Sequence, residues 1–170
     1  MVELRAFTVA DADDLVAWID GPAELVTWAG PTFTWPLDES QLAGYAAESG
    51  RRTWMGVDPE TGRSLAHTSL RLDAEGTSGR LQRVLVAPDA RGRGVGEALL
   101  TAVLRIAFDQ LHLERVELGV FAHNEHARRL YERLGFEVYM VLPDVERVNG
   151  KSWTALQMHL IKTNWSTLAE

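Results

Sequence analysis

Hydrophobic positions along the chain recur with two rhythms, one of period two and one near 3.6, and their succession predicts an α/β fold. Residues 2–7 alternate as a first strand. Thr8, with Asp11 three residues on, forms a helix start whose side-chain oxygens accept from backbone amides left unpaired in the first turn. The helix expected over 9–19 places Ala12, Leu15, Val16 and Ile19 on one face, and Gly21-Pro22 ends it. Residues 25–37 break the rhythm: Trp28, Phe33 and Trp35, set among Gly30-Pro31 and Pro36, read as a long ordered loop of the kind that often carries function. Asp38, followed by Gln41, caps a second helix that buries Leu42, Tyr45 and Ala46 and ends near Gly50.

Strands at 52–57 and 64–72 form a hairpin through the turn residues 58–62. A glycine- and serine-rich loop at 73–79 leads to a strand at 80–86, which makes an antiparallel meander of three. The helix over 95–108 is strongly amphipathic, with Leu99, Ala102, Val103 and Ile106 on one face and Glu97, Thr101, Arg105 and Asp109 in a polar row. A strand at 115–121, a helix at 124–134 closed by Gly135, a strand at 136–141 and, after Asn149-Gly150, a strand at 152–161 complete the order. No repeat, low-complexity tract or linker interrupts it. The expectation is one domain over 1–170, with a central mixed, mostly antiparallel sheet of about seven strands flanked by about four helices.

Composition narrows the functions. Of the 170 residues, 46% are apolar and 24% charged, enough for a proper core. The 17 basic and 24 acidic residues give a net charge of -7, which argues against a broad face for nucleic acid or for a membrane surface. Without cysteine there is no disulfide, no thiolate metal site and no cysteine nucleophile. No apolar run is long enough for a signal peptide or a membrane span, and a cytoplasmic location fits.

The sharpest chemical signal is Arg91-Gly92-Arg93-Gly94-Val95-Gly96, placed directly after a strand and opening a helix. Glycines at alternate positions let the backbone turn tightly and leave several N-H groups free to point at one anion, and the helix adds its positive end. A phosphate or diphosphate is the natural occupant, although a plain glycine-rich turn has the same composition. The dinucleotide fingerprint fails because the third glycine comes one residue early, and the P-loop fails because Glu97 follows Gly96.

In its context the loop says more. The run Val86-x-Pro88-x-x-Arg91-x-x-Gly94-x-Gly96, then a helix, a strand, and Asn124-x-x-Ala127-x-x-Leu130-Tyr131-x-x-Leu134-Gly135-Phe136 resembles the GNAT superfamily of acyl-CoA-dependent N-acyltransferases. Trp153-x-Ala155-x-x-Met158 and the aromatic loop are similar to the branch of ribosomal-protein and small-amine acetyltransferases. The resemblance implies acetyl-CoA as co-substrate, no metal, and direct attack of a primary amine, small-molecule or peptide, on the thioester. It also implies that the strands at 84–86 and 117–120 run side by side and then diverge. Backbone groups of Val84, Leu85 and Val86 would then meet the pantetheine arm, while Arg91, Gly92, Arg93, Gly94, Val95 and Gly96 hold the diphosphate.

By the same resemblance, the N-H near Val84 receives the developing oxyanion, Tyr131 protonates the departing thiolate, and Asn124 contacts the coenzyme. Without it, Tyr131 belongs to the buried stripe of Ala127, Leu130 and Leu134, and Asn124 is a helix cap. Many family members carry a glutamate on the strand before the loop; here Arg80 and Gln82 stand there, and neither accepts a proton at neutral pH. His67 is one substitute as base or substrate contact, while a strand histidine is by itself an ordinary structural residue; water, or an amine arriving neutral, are the others. Trp28, Phe33 and Trp35 either hold the acceptor ammonium by cation-π attraction or plug the sheet. Two further readings stay open: an inactive acyl-CoA-sensing module, and a nucleotide-binding protein of another class. A homodimer is one expectation for the assembly.

Overall fold

A computed structural model describes residues 1–168, with side chains through Trp165. Seven strands form one mixed sheet in the order β1-β2-β3-β4-β5-β7-β6. Its strands are β1 (Glu3–Ala6), β2 (Arg51–Val57), β3 (Ser64–Leu72), β4 (Ser78–Val86), β5 (Arg115–Phe121), β6 (Glu137–Val148) and β7 (Lys151–Ile161). The described residues group into two compact units, 1–71 with 82–102 and 72–81 with 103–168, so that β4 contributes to both.

In the first unit β1 pairs antiparallel with β2, and β2 antiparallel with β3. Helices α1 (Ala12–Trp18), α2 (Pro22–Ala29) and α3 (Glu39–Ala46) supply much of its core, in which Leu15, Leu25, Trp28, Phe33, Leu42, Tyr45, Met55 and Leu85 are buried together. As expected, the Asp38 side chain caps α3 by accepting from the Gln41 N-H at 2.9 Å. Helix α4 (Val95–Arg105) approaches β2 so closely that a Cβ on Gly56 would come within 2.9 Å of Leu99 Cδ1. The absence of a side chain at Gly56 permits that contact.

In the second unit β5 runs parallel to β4 from Ser78↔Arg115 to Arg80↔Glu117, a pairing that lies upstream of residues 84–86. On its other side β5 pairs antiparallel with β7, and β7 with β6. Helix α5 (Glu125–Arg133) buries Leu130 and Tyr131, and α6 (Lys162–Leu168) places Trp165 in a stack on Phe108 with ring centroids 5.7 Å apart.

The described residues form six α-helices, where about four were expected. The expected loop at 25–37 begins with α2: Pro22 sits in its first turn, where the missing N-H costs nothing, and Leu25, Trp28 and Ala29 follow at helical spacing. Gly21-Pro22 therefore starts α2, whereas α1 has already ended at Trp18 with Ile19 extended. α6 was not anticipated. The long amphipathic helix is regular only to Arg105 and continues as a π-helical turn, Ile106–Gln110. β6 extends well past residue 141, but most of its residues are exposed on both faces, so no alternation marks it.

Candidate active site

Between β4 and α4 the chain makes a single 3-10 turn, Pro88–Ala90, and then the glycine loop. Gly92 and Gly94 take φ of +71° and +76°, the left-handed region that side chains disfavour. A Cβ at either position would meet nothing within 4 Å. Backbone conformation, rather than crowding, therefore requires glycine there. Residues 91–94 are exposed, and the helix closes its first turn with Ala98 N-H to Gly94 O at 3.0 Å. The N-H groups of Val95 and Gly96 lie in that first turn, where a helix has no acceptor of its own to offer. Arg91 is engaged with the protein: Nε donates to Val86 O at 3.2 Å and Nη2 to Glu24 at 3.1 Å. Arg93 is exposed.

On β4, Val84 and Val86 are half-buried and Leu85 is buried. The residue before Val84 interrupts the extended strand, since Arg83 has a φ of +57°. A left-handed residue inside a strand re-aims the amide that follows it, here that of Val84. Neither residue at the position of the family glutamate is free for other chemistry. Arg80 donates to Gln157 Oε1 at 2.7 Å, and Gln82 Oε1 accepts from Arg51 Nη1 at 2.7 Å.

The aromatic residues expected near the acceptor divide. Trp28 and Phe33 are buried and stack with centroids 5.6 Å apart, whereas Trp35 is 47% exposed. His67 has no exposed surface, and its Nε2 lies 2.9 Å from the Tyr45 hydroxyl. Burial, reinforced by the charge of Arg83, lowers its pKa to about 3. The imidazole is therefore neutral at pH 7, sealed in the core, and a very weak base.

In the second unit Tyr131 is buried with its ring 6.0 Å from that of Phe136, and burial pushes its phenol well above the ordinary tyrosine value. Its proton is held firmly at neutral pH. Asn124 caps α5, its side chain accepting from Ala127 N-H at 3.3 Å. Among the described residues no group of three or more His, Asp or Glu side chains is arranged to hold a metal ion, and no helix is long and apolar enough to cross a membrane.

The model of the acetyltransferase (GNAT) family matches residues 13–136. The chain belongs to the GNAT family. An N-acetyltransferase of Streptomyces griseus is 34% identical over 135 residues, 79% of this chain and 57% of that protein. Spermidine N(1)-acetyltransferase of Vibrio cholerae is 26% identical over 88 residues, 52% of this chain and 51% of that protein. The chain thus spans little more than half the length of these curated relatives. The crystal structure of spermidine N-acetyltransferase from Vibrio cholerae in complex with CoA and spermine superposes with a TM-score of 0.84 at 19% identity, covering 97% of this chain and 98% of that one. At that identity the likeness is one of fold.

Within this GNAT domain one residue escaped the sequence reading. Burial along β4 alternates, with Gly79, Leu81, Arg83 and Leu85 on the buried side. An arginine between two leucines on a core face is the signal that was available. The neighbouring Arg80 and Gln82 stand where the family base is missing, and Arg83 itself matches no family motif.

Proposed function

We propose that this protein is an acetyl-CoA-dependent N-acetyltransferase that acts on a primary amine. The observation that carries the reading is the glycine loop: two left-handed glycines in an exposed turn, feeding the first amides of an 11-residue helix, in a chain of the GNAT family. The backbone of residues 91–96 holds the coenzyme diphosphate through N-H donors and the positive helix end. Backbone groups of Val84, Leu85 and Val86 bind the pantetheine arm. Asn124 contacts the coenzyme while keeping its capping bond.

The acceptor amine attacks the thioester carbonyl directly, forming the C-N bond as the C-S bond breaks. The left-handed residue Arg83 turns the Val84 N-H toward the oxyanion, where a prealigned backbone donor needs no reorganisation. Tyr131, protonated because burial disfavours the phenolate, donates to the departing sulfur. Because Arg80 and Gln82 are engaged and His67 is a weak, sealed base, the amine loses its proton to water. Polyamines named for the relatives are one acceptor class, and peptide and small amines are others. A free-thiol assay with acetyl-CoA against an amine panel tests the reading: thiol release that needs an amine supports it, and release from none overturns it.

The protein partner is a second copy of the chain, and the location is the cytoplasm, where acetyl-CoA is used. Edge strand β6 exposes Val138, Tyr139, Met140, Val141 and Val145, and an unpaired apolar edge is a template for pairing with another chain. Molar mass by light scattering checks this, with a monomer at all concentrations as the contrary result.

A further inference from the structure

Buried charge in the first unit is matched at one arginine and unmatched at another. Arg51 uses all three of its nitrogens: Nε and Nη2 go to Glu48 at 2.8 and 3.2 Å, and Nη1 goes to Gln82 and Ser69 at 2.7 and 3.2 Å. Arg71 shares Glu48 at 3.4 Å. Arg83 has no such arrangement. Only 8% exposed, it donates from Nη2 to Thr32 Oγ1 at 3.1 Å, while Nε and Nη1 have no hydrogen-bond partner. Among the described residues, three arginines therefore surround a single carboxylate, and that carboxylate is taken by the other two.

An unpaired guanidinium in a core is costly, because the lost hydration is not replaced. The surroundings soften that cost without removing it. The guanidinium carbon lies 4.9 Å from the centre of the Tyr45 ring and 5.5 Å from that of Phe33, so both aromatic faces already hold a cation. Those rings are then unavailable to an acceptor ammonium. Trp28, stacked on Phe33, adds a further buried N-H without a partner. What the cluster lacks is an acceptor, and specifically one carrying negative charge. A planar fork with unpaired, buried donors suits a carboxylate or phosphonate, which it can bind through two parallel hydrogen bonds.

We propose that the acceptor amine carries an oxyanion of its own, a carboxylate or phosphonate within a few bonds of the nitrogen, and that Arg83 receives it through Nε and Nη1. The inference rests on the acetyltransferase reading above and specifies its substrate class: amino acids or aminoalkyl phosphonates rather than purely cationic polyamines. Arg83 is then a specificity-determining residue, held ready by the left-handed turn at its own backbone and by the two rings beneath it.

The test is steady-state thiol release with acetyl-CoA and matched acceptors: amino acids, aminoalkyl phosphonates, the corresponding amino-acid amides, and spermidine. The wild-type protein should prefer oxyanion-bearing acceptors over their amides and over spermidine by at least about a hundredfold in kcat/KM, the loss expected when a buried charge is left unpaired. Arg83→Met should collapse that preference to within about threefold, chiefly through KM, and Arg83→Lys should restore part of it. Melting temperature gives a readout that a merely structural role would reverse. Removing an unpaired buried cation should leave Tm unchanged or raise it, whereas a structural arginine would lower it. Turnover of spermidine or amides in preference to the oxyanion acceptors overturns the inference alone, as does a lowered Tm with the preference intact. Silence with every acceptor overturns the acetyltransferase reading and the inference with it.

Discussion

Two stretches of the first unit, a few residues apart in sequence, are suited to negative charge through different materials. The glycine loop at 91–96 uses backbone amides, left-handed glycines and a helix end, with residues 91–94 exposed to solvent and Val95 and Gly96 half-buried. The Arg83 cluster uses side chains: a buried guanidinium over the Tyr45 and Phe33 rings, with His67 and Trp28 packed alongside. Backbone chemistry is the same in every chain, so a loop of the first kind can serve a common co-substrate whatever its neighbours. Side chains in a core depend on all their contacts, and so can tell one acceptor from another. On the proposed reading, the donor belongs to the loop and acceptor choice to the cluster.

Tyr131→Phe is expected to have the largest effect, because on the proposed reading its phenol serves the chemical step itself. It should lower turnover about a hundredfold or more, as loss of a general acid does, with acetyl-CoA affinity and acceptor KM retained in rapid-quench and calorimetric measurements. A fall in either affinity would give Tyr131 a binding role instead. Next comes Gly94→Val. A β-branched residue at φ +76° costs about 2 kcal/mol, or drives the loop out of alignment, so acetyl-CoA should bind roughly thirtyfold more weakly. Equal binding would mean that the backbone conformation is dispensable.

The cluster is tested by acid. An unfolded histidine takes up a proton near pH 6.5, while native His67 refuses it down to about pH 3. The stability this provides is complete above about pH 6.5 and is lost as pH falls through that window. Between pH 6 and pH 5 the loss should be roughly 1 kcal/mol in urea titrations, and His67→Gln should flatten it. The smallest effect is expected for Arg93→Ala. If amides hold the diphosphate, the Kd for acetyl-CoA should change by no more than about threefold, the scale of an exposed charge. A tenfold loss would shift the loop's binding from backbone to side chain.

The same contrast explains what could be read in the sequence. Glycines, a strand before them and a helix after them are local features, and the loop, α4, α5 with its Asn124 cap, and the α3 cap at Asp38 all stood where local chemistry put them. α2 was missed because Pro22 serves equally as a helix breaker and as a first-turn residue, and only the packing of Leu25 and Trp28 decides between the two. β6 was cut short because an exposed edge strand carries no alternation. Arg83 was missed for a different reason. Its neighbours Thr32, Phe33, Tyr45 and Arg51 are distant in sequence, and only the fold brings them to one guanidinium. The burial of His67 is non-local in the same way.

The most direct measurement of the central claim is isothermal titration of the protein with acetyl-CoA, followed by free-thiol release on adding amine to the same sample. The account predicts saturable binding that Gly94→Val weakens, then release of one thiol per amine acetylated. Absence of binding, or binding with no amine-dependent thiol, would contradict it.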